Sequence, residues 1–207
     1  MKELLLEYWE SSKLITDRDL LKAFSQVKRA NFVLDSYKYL AYSDNPQPIG
    51  FGQTISQPTT VMLMIQALNL RKTDNVLEIG AGSGYNAAIM SKLCKSIYST
   101  EIVPELVEFA KKNLDKEKIN NVKVIHSDGS KGYKKKAPYN KIIVTAACSE
   151  IPKLLVEQLK ENGKIIIPVG IILQQEMFLG IKKKNKLKLE SIGYFSFVPL
   201  KGKFGLK

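Results

Sequence analysis

The chain has 207 residues, 44% of them hydrophobic and 25% charged, the make-up of one compact folded domain rather than a disordered chain. Two cysteines, Cys94 and Cys148, and one histidine, His126, exclude a disulfide framework and a histidine-rich metal centre. The net charge of +12 raises the question of a nucleic-acid partner. In chain order, the first forty residues read as two amphipathic helices. The second can be capped by Thr16 or Asp17 and carries Leu20, Leu21, Phe24 and Val27 at helical spacing. Residues 43–58 hold three prolines and two glycines and read as an irregular loop. Pro58 suits the first turn of a third helix, in which Val61, Leu63, Met64, Ile65 and Leu68 recur. Met62 and Met64 are read as core filler. Strands are expected at 75–79, 96–101, 122–126, 141–146 and 164–169, with helices at 85–93, 104–114 and 151–160 between them. Residues 177–182 and 187–197 are expected to close the fold as an antiparallel pair. This alternation predicts an α/β, doubly wound, mostly parallel sheet with an N-terminal helical extension. Residues 1–58 are taken as helices and a loop packed on a main domain of residues 59–207.

The longest apolar run, Ile165 to Leu173, is too short to cross a bilayer. The opening MKELLLEYWE has acids inside its apolar stretch and does not read as a secretory signal, so a cytoplasmic location is expected. Of 32 basic residues only Arg18, Arg29 and Arg71 are arginines, the better residue for bidentate phosphate recognition. The lysines are scattered or sit in surface-like runs such as 134–136 and 182–184. A solvated lysine-rich surface is favoured over nucleic-acid binding.

Ligands of such sheets bind beyond the carboxyl ends of the strands. The first strand of the alternation runs into Glu78, Gly80, Gly82 and Gly84. The spacing G-x-G-x-G matches neither the nicotinamide fingerprint nor a P-loop. Glycines there let backbone approach a ligand, although a strand-to-helix turn can also use them purely for packing. Glu78 suits a ligand with a cationic amine. Glu101 ends the next strand and can accept hydrogen bonds from ribose hydroxyls. Asp128 and Gly129 follow the third, where the acid can accept from an adenine amine. Each acid alone could simply face solvent. Together they fit a ligand with an amino-acid tail, a ribose and an adenine, which is S-adenosyl-L-methionine, and so a class I methyltransferase.

The segment Ile49, Gly50, Phe51, Gly52, Gln53, Thr54, Ile55, Ser56, Gln57, Pro58 is the most unusual in the chain. By spacing alone it is equally an ordinary capping turn, with Ser56 or Gln57 at the cap. With Ala41–Asp44 before it and Val76–Tyr85 after it, however, it resembles the protein-L-isoaspartate O-methyltransferase family. Arg29–Val33, Ser127–Gly129, Ala137–Tyr139, Ile151-Pro152, Gln158–Lys160, Pro168–Gly170 and Phe197–Leu200 also resemble that family's landmarks. Two positions depart. Leu34 replaces a usual proline, which bears on a turn, and Asn140 replaces a frequent aspartate, which bears on a strand start.

The resemblance implies methyl transfer from S-adenosylmethionine to the α-carboxylate of L-isoaspartyl residues in damaged proteins and peptides, with no metal. It assigns the active-site role to Ser56, with Thr54 as helper and residues 49–55 binding the peptide. A carboxylate acceptor is already ionised near neutral pH, so no strong general base is needed. His126, on a strand, and Cys148, without a partner thiol, are read as packing or surface residues. Two alternatives stay open: a nucleic-acid methyltransferase of the same fold, and a non-catalytic adenosine-binding protein. The stretch from Asp44 to Gln47 superficially resembles a base clamp, but it precedes the glycine motif and lacks the aromatic.

Overall fold

The computed structural model describes residues 1–171 and 174–205. Ile172 and Leu173, the end of the longest apolar run, lie outside the described residues. Helices α1 (Lys2–Ser11) and α2 (Arg18–Gln26) open the chain, followed by short 3-10 turns at Arg29–Asn31 and Asp35–Leu40. Next come strands β1 (Gln47–Gly50) and β2 (Gln53–Ile55), then helix α3 (Pro58–Leu68). The main alternation is β3 (Asn75–Ile79), α4 (Tyr85–Ser91), β4 (Ser96–Glu101), α5 (Pro104–Lys116), β5 (Val122–His126), β6 (Tyr139–Val144), α6 (Lys153–Gln158) and β7 (Leu159–Ile171). Strands β8 (Gln174–Lys183) and β9 (Lys186–Phe195) complete it.

Seven strands form one sheet in the order β5-β4-β3-β6-β7-β8-β9. The first five are parallel, and β8 and β9 add antiparallel at one edge. This is the doubly wound sheet with a closing antiparallel pair that the alternation predicts. Strand order reverses at β3, which lies between β4 and β6, so the crevice for a ligand opens at the carboxyl ends of these strands.

The central strands are buried on both faces, and period-two alternation divides their side chains. Val76, Ile97, Ile143 and Ile166 pack with residues of α1 to α5, whereas Leu77, Ile79, Ile142, Val144, Ile165 and Ile167 pack with Tyr139, Leu155 and Leu200 on the other face. Trp9, Phe24 and Phe32 share the first of these cores with Tyr85 and Met62, so the N-terminal helices and the main alternation enclose one continuous apolar body. Met62 and Met64 are core residues, as the sequence suggests.

Several expectations change in detail. Residues 43–58 are not wholly irregular: β1 and β2 pair as a small antiparallel hairpin, turning through Gly50, Phe51 and Gly52, all at positive φ. Strands this short carry too few alternating positions to be legible. Asp17 caps α2 by accepting from the Leu20 N–H at 3.0 Å. Leu34 adopts φ −64°, the φ that a proline ring imposes, with an extended ψ of 152°. Asn140 keeps a strand-start contact, accepting from the Asn75 N–H at 3.0 Å. The lysine run 182–184 is not wholly at the surface. The buried Lys182 donates to the Val156 and Leu159 carbonyls, at the end of α6. Lys141 and Lys164 likewise donate to the Leu68 and Ala67 carbonyls at the end of α3. Three lysines thus donate to carbonyls at or just beyond helix C-termini, where positive charge is favoured.

Candidate active site

Strand β3 ends at Ile79, and the chain turns sharply through residues 80–84 into α4. Gly80 has φ +91°, and a Cβ there would collide with the Thr145 hydroxyl. That hydroxyl donates to the Ile79 and Gly80 carbonyls at 3.0 and 2.8 Å, tying the end of β6 to the glycine turn. Gly82 is held by Glu101, whose carboxylate accepts from the Gly82 N–H at 2.8 Å. The other Glu101 oxygen accepts from the Ile102 and Val103 N–H groups at 2.8 and 3.0 Å. Three backbone donors therefore fix this carboxylate at the end of β4, and its remaining lone pairs are available to a ligand.

The glycine turn, Glu101, Gly129, Thr145 and Ala146 line a cleft together with Gln53–Ser56 and Val198–Lys201. Ile79, Val61 and Leu200 make much of the wall apolar. Gly129 lies flush against the sheet end, where a Cβ would meet Ile79 and Thr100 at 2.6 Å. A second hollow is lined by Pro46, Leu63, Tyr194, Phe195 and Phe197. It shares Thr54, Ser56, Thr145 and Val198 with the cleft, so these four residues form the seam between the two.

Ser56 is not a helix cap. Residue Gln57 occupies the cap position of α3 without a side-chain cap bond. The capping acceptor comes from a distance: Asp44 receives the Thr59 N–H at 2.9 Å, the Thr59 hydroxyl at 2.7 Å and the Gln57 amide at 3.1 Å. This accounts for Asp44 without a base clamp. The Ser56 hydroxyl has no hydrogen bond to a described residue, and its carbonyl accepts from Arg29 Nη2 at 2.8 Å.

Of the expected peptide contacts, Gln53, Thr54 and Ile55 line the cleft. Ile49 is buried in the core beside Gly82, and Gly50, Phe51 and Gly52 form the hairpin tip, with Phe51 exposed at φ +54°. Three expected cofactor contacts lie off the lining. Glu78 is fully buried beneath the turn, because alternation on β3 aims it into the sheet face beside Ser99 of β4. Ser99 donates to Glu78 Oε2 at 2.5 Å, while Oε1 has no partner among the described residues. Burial raises its pKa from 4.5 to about 8. Gly84 serves packing, its α-carbon facing the Ala110 carbonyl and Leu114 of α5. Asp128 turns toward the C-terminal segment. It accepts from the Ser130 hydroxyl at 2.6 Å and the Lys203 N–H at 3.0 Å, and pairs with Lys131 at 3.3 Å. Burial pulls its pKa upward, but these hydrogen bonds outweigh it and leave the group below the ordinary carboxylate range.

Sequence reasoning did not place Tyr85, Asn86, Thr145 or residues 198–201 in the site. The last of these arrive through a long-range bridge, in which the Ala147 N–H donates to the Val198 carbonyl and the Leu200 N–H to the Ala147 carbonyl. No local pattern signals such a contact. His126 is exposed beside the Ile102 carbonyl. Cys148 is buried, its thiol pushed up to about 12 by desolvation. Among the described residues no cluster suited to a metal ion exists, and no helix is long and apolar enough to cross a membrane.

Comparison with known proteins gives a consistent result. The family model described as Protein-L-isoaspartate(D-aspartate) O-methyltransferase matches residues 1–205. A protein-L-isoaspartate O-methyltransferase of Pyrococcus abyssi is 47% identical over 203 residues, covering 97% of this chain and 94% of its own. A relative from Archaeoglobus fulgidus, protein-L-isoaspartate O-methyltransferase 2, is 46% identical over 94% of this chain and 90% of its own. A Plasmodium falciparum crystal structure of the same description, in complex with S-adenosyl-L-homocysteine, superposes with a TM-score of 0.84 at 29% identity, covering 95% of this chain and 96% of that one.

Proposed function

The chain belongs to the protein-L-isoaspartate(D-aspartate) O-methyltransferase family, and on that premise we propose that Ser56 holds the acceptor carboxylate while the glycine turn, Glu101 and Gly129 hold the donor. The enzyme methylates the α-carboxylate of L-isoaspartyl residues in damaged proteins. The resulting ester is a better electrophile than a carboxylate. The following backbone nitrogen can then close a succinimide, whose hydrolysis returns part of the population to L-aspartyl.

The observation that carries the site assignment is the seam. Ser56 and Thr54 border both the cleft and the second hollow, so a peptide in the hollow can present a carboxylate to a donor in the cleft. The cleft fits S-adenosylmethionine: Glu101 has acceptor capacity left, the glycine turn exposes backbone, and Gly129 leaves a flat floor for a planar base. When bound, this co-substrate supplies a methyl group on a cationic sulfur. The chain's own task is orientation and exclusion of water. The free Ser56 hydroxyl can donate to one carboxylate oxygen and leave the other to attack. Transfer neutralises both charges, so the apolar wall of Ile79, Val61, Ala146 and Leu200 favours it. Glu101 is the only carboxylate on the described lining and is held by three N–H groups, in keeping with a reaction that needs no general base.

Substrate recognition is assigned to residues 49–56, with Ile49 and the hairpin tip supporting the strand that Gln53, Thr54 and Ile55 present. Residues 1–58, the N-terminal helices and substrate loop, are proposed to pack on an S-adenosylmethionine-binding catalytic domain of residues 59–207. A cytoplasmic location and the absence of nucleic acid among the substrates complete the proposal. The lysines that cap helices, and the burial of Arg29, support the latter by accounting for part of the basic excess. The test is the lability of the product. Label from the methyl donor, incorporated into an isoaspartyl peptide, should leave as volatile methanol in mild alkali. Label that survives alkali would place the methyl on nitrogen and overturn the carboxylate assignment.

A further inference from the structure

Arg29 is a fully buried charged group that the reaction, as derived above, leaves unexplained. It lies in the 3-10 turn Arg29–Asn31 and is completely shielded from solvent. Its guanidinium donates from Nη2 to the Ser56 carbonyl at 2.8 Å, and the Tyr85 hydroxyl and the Asp44 carboxylate lie near enough to favour its charge. Its carbon centre stacks 4.7 Å from the centroid of the Tyr85 ring. Nε and Nη1 have no partner among the described residues. A buried cation with two idle donors is a poor source of stability, and an apolar side chain of similar volume would fill the space at lower cost. The position of its two contacts is more informative. Ser56 belongs to the substrate side of the seam, and Tyr85 follows Gly84 at the start of α4 and lines the donor cleft. On the far side of Ser56, Asp44 fixes Gln57 and Thr59, and the Thr59 hydroxyl accepts from Trp9 Nε1 at 2.8 Å. Ser56 is therefore held at its own carbonyl and through the neighbouring Gln57, while its hydroxyl has no hydrogen bond to a described residue.

We propose that Arg29 is a positioning residue for methyl transfer: by gripping the Ser56 carbonyl and the Tyr85 ring together, it sets the separation between the acceptor carboxylate and the donor. This rests on the assignment of Ser56 as the group that orients the carboxylate. A rigid planar fork is suited to this because it binds a carbonyl in its plane and an aromatic ring against its face at once.

A double-mutant cycle with turnover and melting temperature as readouts tests the proposal. Arg29→Met should lower kcat on an isoaspartyl peptide by about tenfold or more, with the melting temperature unchanged or raised. Arg29→Lys, which can still reach the carbonyl, should recover part of the lost rate. Ser56→Ala should lower kcat, and adding Arg29→Met to it should cost less than about twofold more, because both act through one contact. Wild-type turnover in Arg29→Met, or loss factors that simply multiply, would overturn the Arg29 proposal alone. Wild-type turnover in Ser56→Ala would instead defeat the Ser56 assignment on which it rests. If Arg29→Met does not fold, Arg29→Lys carries the same cycle. If neither folds, Arg29 serves the core only and the proposal falls.

Discussion

Glu78 gives a quantitative handle on the electrostatics beneath the glycine turn. Its carboxyl is fully enclosed, one oxygen has no partner among the described residues, and desolvation raises its pKa from 4.5 to about 8. The folded protein therefore keeps a proton that the unfolded chain releases. The advantage of the neutral buried acid is complete below about pH 4.5 and is lost as pH rises through about 8. At about 1.4 kcal/mol per pH unit, the full loss is on the order of 5 kcal/mol. Glu78→Gln keeps the shape and the bond from Ser99 but cannot ionise. Its stability relative to the parent should rise by about 1.4 kcal/mol per pH unit between pH 5 and 8 and level off above. For a chain of this length each kcal/mol moves the melting temperature by roughly 2–4 °C. The gap in alkali should thus be on the order of 10 °C, and differential scanning calorimetry at several pH values measures it. A gap that stays constant across this range would show that Glu78 does not titrate there and would refute the reasoning.

Three further outcomes concern the donor cleft, the acid beside it and the basic surface. Glu101→Gln keeps one acceptor for Ile102 and Val103 but turns an amide N–H toward the Gly82 N–H and removes a charged acceptor worth roughly 1.5–3 kcal/mol. Calorimetric titration with S-adenosylhomocysteine should show about tenfold to hundredfold weaker binding, and an unchanged Kd would remove Glu101 from the site. Asp128→Ala should release the Lys203 and Ser130 contacts and lower the melting temperature while weakening S-adenosylhomocysteine less than Glu101→Gln does. A larger loss of affinity would return the Asp128 carboxylate to the nucleobase. Activity on isoaspartyl peptides should vary weakly with added salt, and RNA should not inhibit at physiological ionic strength. Strong inhibition with a steep salt slope would contradict the reading of the basic surface.

The sheet was legible because its strands are short apolar runs separated by helical spacing, and NVLEI at Asn75–Ile79 is bounded as the pattern indicates. Glu101, Gly80 and Gly129 were legible as cleft residues because a doubly wound sheet delivers strand ends to one edge. Glu78 and Asp128 lie off the lining for the same reason that they stand out in the sequence. Motif position fixes the strand end, but the side chain's direction depends on alternation in one case and on a C-terminal segment seventy-five residues away in the other. The hairpin at 47–55 was invisible because its pairing rests on a positive-φ turn rather than on a hydrophobic pattern. The cap by Asp44 and the grip of Arg29 on Ser56 are tertiary contacts across fifteen and twenty-seven positions, which no helix or strand period encodes.

The most direct measurement is methyl transfer to two peptides that differ only in carrying isoaspartate or aspartate at one position. The same donor, enzyme concentration and salt are used for both. Transfer to the isoaspartyl peptide, with none above background to its aspartyl twin, is the predicted result. Equal labelling of the two, or labelling of neither while S-adenosylhomocysteine still binds, would contradict the account.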